Sequence, residues 1–276
     1  MRTSIRLLAV AAVLASTVVV GPQAGSAAGR TSAGTLTPAA AARAQAELDA
    51  YRSAHPDDMV GIDRILRKYG HEPMSVSVSG VTGVLSAEEA ERVIARRGAE
   101  NMAAAARSGV PTNAFTVSVS IYGEFLGHNK NIVGQWNFRD NYVNGSDPDD
   151  VAGIEVNLNG CWKIVGTSAQ VADYQGKTHN SLVWLENGGV SNGSPAWGIN
   201  DSVSGFKMLT DNGQVVGKFA PLGSGCYKKQ IGGQFVYEHN QDGSGGVSVS
   251  IAWGAFSVSY SNPGSKMRKS TNPLWK

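Results

Sequence analysis

Cysteine, unbalanced charge and long apolar runs are all scarce in this chain. Only Cys161 and Cys226 occur in 276 residues. They form no CxxC pair and have no histidines at ligand spacing, which argues against a thiolate zinc site. The five histidines, His55, His71, His128, His179 and His239, are scattered without an HExxH, so no metalloprotease helix is present. Lysine and arginine number 24 against 22 acidic residues, and Arg2 and Arg6 account for the whole excess. The rest of the chain is neutral and lacks the basic field that phosphate neutralisation needs, so nucleic acid is not an expected partner. Beyond Val20 no stretch is apolar enough to cross a bilayer as a helix. No repeat suggests a propeller.

The apolar run Ile5 to Val20 follows Arg2 and Arg6 and precedes the small residues Gly25-Ser26-Ala27-Ala28. Residues 1–28 therefore read as a secretory signal peptide, and the expected location is extracellular. In an oxidising compartment the default for two cysteines is a Cys161–Cys226 disulfide.

Composition divides the remainder at about residue 113. All six Trp and all seven Phe lie beyond it. Residues 29–113 are rich in Ala, Arg and Glu, and are expected to be helical. Thr37-Pro38 caps and opens a helix running to about Ala54. A second helix starts near Asp57 and stops at Gly70. Met74, Val76 and Val78 then alternate as a short strand. Ser86 and Glu89 form a capping box for a third helix, to about Arg107. This region has few large apolar residues for a core of its own. Its possible roles are a docked arm, a propeptide or a stalk, the first two preferred.

From Ala114 the period changes to two, with candidate strands beginning at Phe115, Ile132, Ile154, Trp162, Ala169, Leu182, Ala196, Val203, Gln214, Tyr227, Gln234, Val247 and Phe256. Turn dipeptides such as Asn144-Gly145, Asn159-Gly160, Asn187-Gly188 and Asn212-Gly213 punctuate them. Short strands at this spacing predict an all-β sandwich over 114–276, jelly-roll or immunoglobulin-like, or a flattened barrel. The most explicit stretch is Gly153 to Gly166. Asn159-Gly160 favours a type I′ turn, which would pair Leu158 with Cys161 and Val156 with Lys163 in a hairpin. Ile154, Val156, Leu158, Cys161 and Val165 would share one face, and Glu155, Asn157, Trp162 and Ile164 the other.

Candidate chemistry is sparse. Asp242 to Gly246 reads DGSGG, one transposition from the GDSGG of chymotrypsin-like proteases, but no suitably placed His base accompanies it and a Gly/Ser turn suffices. Ser224-Gly225-Cys226 is similar to the S-x-G-C segment of L,D-transpeptidases, yet no histidine lies between His179 and Cys226. Paired carboxylates are the stronger enzymatic option. Glycan hydrolases hold two acids across an aromatic cleft, and the candidates here are Glu155, Glu186 and Glu238, with His239 alongside. A simpler alternative is a stacking platform for a sugar ring, built from Trp162 with Asn157, or from Trp136, Trp184 and Trp197. Asp147, Asp149 and Asp150 lack EF-hand spacing, and no metal or other cofactor is expected. Residues 245–264 alternate apolar residues with serine as membrane-inserting hairpins do, but their arms are short and membrane insertion is not expected. The sequence thus predicts a secreted binding protein for a glycan, surface polymer or protein, with a glycan hydrolase or a membrane-active hairpin as alternatives.

Overall fold

Local signals place the first elements. The computed structural model describes residues 36–105, 115–138, 149–186, 190–204, 208–241, 244–262 and 265–276. The proposed signal peptide, the Asn144-Gly145 and Asn187-Gly188 turns and Asp147 lie outside the described residues. Helix α1 spans Pro38–Ala54, with the Thr37 hydroxyl accepting the Ala40 N–H at 3.3 Å. Helix α2, Met59–Lys68, is capped by Asp58, which accepts the Gly61 N–H at 2.6 Å, and the chain leaves it through Gly70 at φ +75°. Strand β1 is Ser75–Val78. The capping box forms reciprocally ahead of α3, Ala87–Ala105: Ser86 N–H donates to Glu89 Oε2 at 2.9 Å, and Glu89 N–H to Ser86 Oγ at 3.3 Å.

Two antiparallel sheets follow. Strands β2 (Phe115–Gly123), β3 (Lys130–Phe138), β4 (Asp150–Asn157), β5 (Trp162–Ala172), β6 (Val183–Leu185), β7 (Ala196–Ile199) and β8 (Asn212–Pro221) are joined by β9 (Gly232–Gln241), β10 (Ser244–Ala252), β11 (Ala255–Asn262), β12 (Ser265–Ser270) and β13 (Leu274–Trp275). One sheet runs β1-β2-β3-β8-β5. The other runs β12-β9-β4-β7-β6, with β13 also on β9. Strands β10 and β11 form a separate two-stranded ribbon. No barrel closes, and the expected sandwich is the observed fold.

Period two explains the main core. Phe115, Val117, Val119 and Ile121 of β2 face Ile154 and Val156 of β4 and Phe235 and Tyr237 of β9, with Trp136, Trp162, Trp197 and Phe219 filling the layer. Gly134 lets the Phe235 ring cross β3, since a Cβ there would lie 2.1 Å from Phe235 Cδ2. On the other side of the first sheet, Tyr122, Val133 and Val216 pack against Leu48, Ile62, Leu66 and Val76 of the helical region. That second burial explains why Ser118 and Ser120, opposite the core, are also inaccessible. Burying an amphipathic helix face on a sheet supplies the core that the helices lack alone.

The expected hairpin at Asn159-Gly160 needs correction. Both residues do take positive φ, +50° and +63°. The strands they join, however, belong to different sheets: β4 pairs with β7 and β9, and β5 with β8. The turn is an arch across the sandwich. A hairpin would have set Trp162 and Ile164 opposite Ile154 and Val156. The arch lets all four reach one core. A bulge between Ile164 and Gly166 then leaves Val165 exposed rather than on the core face. Two smaller differences follow from tertiary context. The strands expected at Trp162 and Ala169 are one, and Tyr227 lies in a turn after the 3₁₀ segment Ser224–Cys226 rather than in a strand.

Candidate functional site

One end of the sandwich gathers four stretches that are distant in sequence. The β2–β3 turn carries Gly127 and His128 in the left-handed region, at φ +70° and +56°. Apart from Asn159, His128 is the one described non-glycine residue with positive φ. Such a conformation costs energy that the surroundings must offset, and it concentrates at binding sites. Asn129 steadies the turn, its Nδ2 donating to Glu124 Oε2 at 3.1 Å and its carbonyl accepting the Glu124 N–H at 2.9 Å.

Facing this turn is the segment held by the disulfide. Cys161 and Cys226 are bonded over a sequence separation of 65, joining the arch to the connection between β8 and β9. The staple places Tyr227, Lys228 and Lys229 at the surface beside His128. The Tyr227 and His128 rings stack at 4.0 Å and 20°, and both residues are exposed. Phe125 closes the far wall, meeting Tyr69 edge-on at 5.4 Å and His71 at 4.6 Å. The result is an open cleft of about 860 Å³ lined by Tyr69, Phe125, His128, Tyr227 and four lysines, Lys130, Lys228, Lys229 and Lys276.

The cleft is short of negative charge. Its acids are Glu72 and Glu124. Glu124 is already held by Lys218 at 2.7 Å, outside the cleft, and Glu72 reaches Lys276 only at 4.0 Å. Burial pushes the Lys130 ammonium below its ordinary range. Lys276 is lowered by burial and further by Lys130, against an opposing pull from Glu72. His71 is lowered by burial and then by Lys276. Lys130 also sits 5.1 Å from the Trp162 ring and donates to the Lys276 carbonyl at 2.6 Å. A desolvated cation facing other cations is stabilised by any anion that enters. Flat exposed rings add a face for stacking.

The residues singled out from the sequence occupy different places. Trp162 and Trp197 are 2% exposed and belong to the core. Asn157 accepts the Asn159 N–H at 2.9 Å and shapes the arch. Trp184 is 39% exposed, and its indole donates to Glu186 Oε1 at 2.6 Å on the edge strand β6. Glu155 and Glu238 share the outer face of the second sheet, where the register sets Glu238 beside Val151, four residues from Glu155 along β4. At the strand rise that is about 13 Å. Both are buried beneath the β10–β11 ribbon: Glu155 accepts the Gly254 N–H at 2.8 Å, and Glu238 binds Arg268 Nε at 2.7 Å. Glu186 follows β6, so each of the three carboxylates has its own partner: the Gly254 N–H, Arg268 and the Trp184 indole.

His239 points the other way, into the sandwich. Its Nδ1 lies 2.9 Å from Asp150, which also accepts the Tyr237 hydroxyl at 2.8 Å and the Asn240 N–H at 2.9 Å. Burial, then the Asp150 charge, holds the Tyr237 hydroxyl well above its ordinary pKa. One ligand atom each from Asp150, Asp201 and His239 fall within 4.8 Å, the one cation-sized group of this kind among the described residues. Sequence reading missed it because Asp150 and His239 meet only through the pairing of β4 with β9.

The cleft was equally hidden in the sequence. Its one visible trace is Lys228-Lys229, set just after a half-cystine. No family model matches the chain, and no curated protein matches it. Among solved structures, one titled "BspA_C_WT" overlaps 57% of this chain and 58% of its own, at 6% identity and TM-score 0.27. The Clostridium perfringens NetB toxin in the membrane inserted form overlaps 59% of this chain and 88% of its own, at 9% identity and TM-score 0.24. This chain spans little more than half the length of the first, and both likenesses are too slight to bear on function.

Proposed function

We propose that this is an extracellular binding protein that takes an acidic glycan in the lysine-lined cleft. The observation that carries the reading is the exposed His128–Tyr227 stack in a cleft whose four lysines face two acids, one of which, Glu124, is already paired with Lys218. A sugar ring lies against the stacked faces, and its carboxylates meet Lys228, Lys229 and Lys276. The disulfide supports this role by holding Tyr227 and the lysine pair in place before a ligand arrives, which lowers the ordering cost of binding. Extracellular location follows from the expected signal peptide and agrees with the disulfide.

Isothermal titration with an oligogalacturonate and with a neutral oligosaccharide of equal length tests the reading. The acidic chain should bind more tightly, and more weakly as salt rises. Tyr227→Ala and the double change Lys228→Ala/Lys229→Ala should each weaken binding about tenfold, or about 1.4 kcal/mol, with melting temperature unchanged. Equal affinity for both sugars, or no effect of either change, would remove the cleft from consideration. Tighter binding of a single-stranded oligonucleotide would reassign it.

A further inference from the structure

Strands β10 and β11 form a ribbon with two unlike faces. Their register sets Val247 opposite Tyr260, Val249 opposite Val258 and Ile251 opposite Phe256. The intervening pairs are Ser248 with Ser259 and Ser250 with Ser257. One face thus carries Val247, Val249, Ile251, Phe256, Val258 and Tyr260, and the other four serines followed by Ala252 and Ala255 toward the tip. From Ser244 to Asn262 no residue is charged. The serine face is exposed, while the apolar face lies on Val151 of β4.

The ribbon is also the continuation of another ladder. Strands β9 and β12 pair from Val236–Ser270 to Gln241–Ser265. The ribbon's own ladder begins at Ser244–Asn262. Two residues separate the ladders on each strand, so the Ser244–Asn262 pair keeps the register of β9 with β12, and an irregularity between Ser244 and Val247 then shifts the rest of the ribbon by one residue. Yet the ribbon lies back over its parent sheet. Its tip reaches Glu155 through Gly254 N–H, Arg268 Nη1 donates to the Phe256 carbonyl at 3.2 Å, and Trp253 meets Trp275 at 5.3 Å. Gly153 makes room for this, because a Cβ there would stand 2.6 Å from Ile251 Cδ1.

The folded-back position is imperfectly satisfied. The Tyr260 hydroxyl is buried there without a hydrogen-bond partner, and Glu238 Oε1 has only the Lys266 ammonium at 3.7 Å; a buried hydroxyl left unpaired weakens the docked state. Among the described residues no backbone ladder ties the ribbon to either large sheet. Of its arms, nine and eight residues long, the first meets the lower limit of about nine residues for a tilted strand that spans lipid and the second falls one short.

We propose that residues 244–262 are a releasable membrane-spanning ribbon, which swings into line with β9 and β12 and presents its apolar face to lipid. An open ribbon leaves unpaired backbone groups in hydrocarbon, so insertion requires several copies of this chain to close their ribbons into a barrel, serine side inward. Lipid contact is thus a function separate from ligand capture in the cleft.

The test uses the full chain with an environment-sensitive dye on Val247→Cys or on Ser248→Cys, the native disulfide being left oxidised. Each is mixed with phosphatidylcholine/phosphatidylserine vesicles loaded with carboxyfluorescein. The expected result is marker release, higher-order oligomers, quenching of the residue-247 dye by a lipid-soluble quencher, and quenching of the residue-248 dye by iodide. A second variant replaces residues 246–260 with a short Gly-Ser turn. It should lose release at least tenfold while keeping its melting transition and its affinity for oligogalacturonate. Retained marker with both dyes open to iodide would overturn the proposal. So would release in which both dyes enter lipid, or release that survives removal of the ribbon.

Discussion

Removing the disulfide by Cys161→Ser/Cys226→Ser is the sharpest test of how this fold is held. The bond closes a loop with a sequence separation of 65. On the chain-entropy account, a closure of that length stabilises by about 4 kcal/mol, chiefly by restricting the unfolded chain. The native end of the loop has other ties, since Leu222 N–H donates to the Cys161 carbonyl at 2.8 Å and Cys226 N–H to Gly223 at 2.9 Å. The variant should therefore keep its folded structure and lose stability. For a chain of this size the loss corresponds to a fall in melting temperature of about 8–16 °C. Urea denaturation should agree, with a lower midpoint and a steeper slope, because an unlinked denatured chain exposes more surface. Calorimetry showing a fall of about 2 °C or less, with the urea slope unchanged, would refute the loop-closure reasoning.

Three further outcomes follow from buried charge. Asp150→Ala strips His239, Tyr237 and the Asn240 N–H of a shared partner and should cost about 3–5 kcal/mol in urea unfolding; a loss of about 1 kcal/mol or less would show that the cluster is not structural. Glu155 has its pKa raised by burial, partly opposed by the Gly254 N–H and by Arg268. The stability it contributes is complete below its unfolded pKa and is lost as pH rises through the raised folded value. Glu155→Gln should then melt above wild type at pH 7 and level with it near pH 4, and melting curves that differ equally at both would contradict this. The Lys269 ammonium is pushed down to about 8, by burial first and then by Arg97. Between that value and its ordinary pKa the folded state holds fewer protons, so stability should rise from pH 7 to 9, and Lys269→Met should remove that part of the rise in a paired thermal scan.

Particular residues show how much was legible in the sequence. Thr37 and the Ser86/Glu89 box act within one helical turn, and their caps form as their spacing predicts; the second helix, expected to start near Asp57, is capped by Asp58. Alternation from Phe115 to Ile121 foretold a buried strand for the same local reason. The Asn159-Gly160 turn was also correct as a backbone conformation, yet its strands part to opposite sheets. Trp162 illustrates the cost of the wrong pairing, since a ring assigned to an open face lies in the core beneath Lys130.

The sequence by itself determined where the helices start, the strand periods, the alternating ribbon and the one possible disulfide, because each depends on neighbours in the chain or on a count. Tertiary structure alone decided that β4 pairs with β9, that Asp150 meets His239, and that residues near 70, 128, 227 and 276 share a cleft. Those outcomes depend on which distant strands bury the most apolar surface together, and that competition is settled across the whole sandwich.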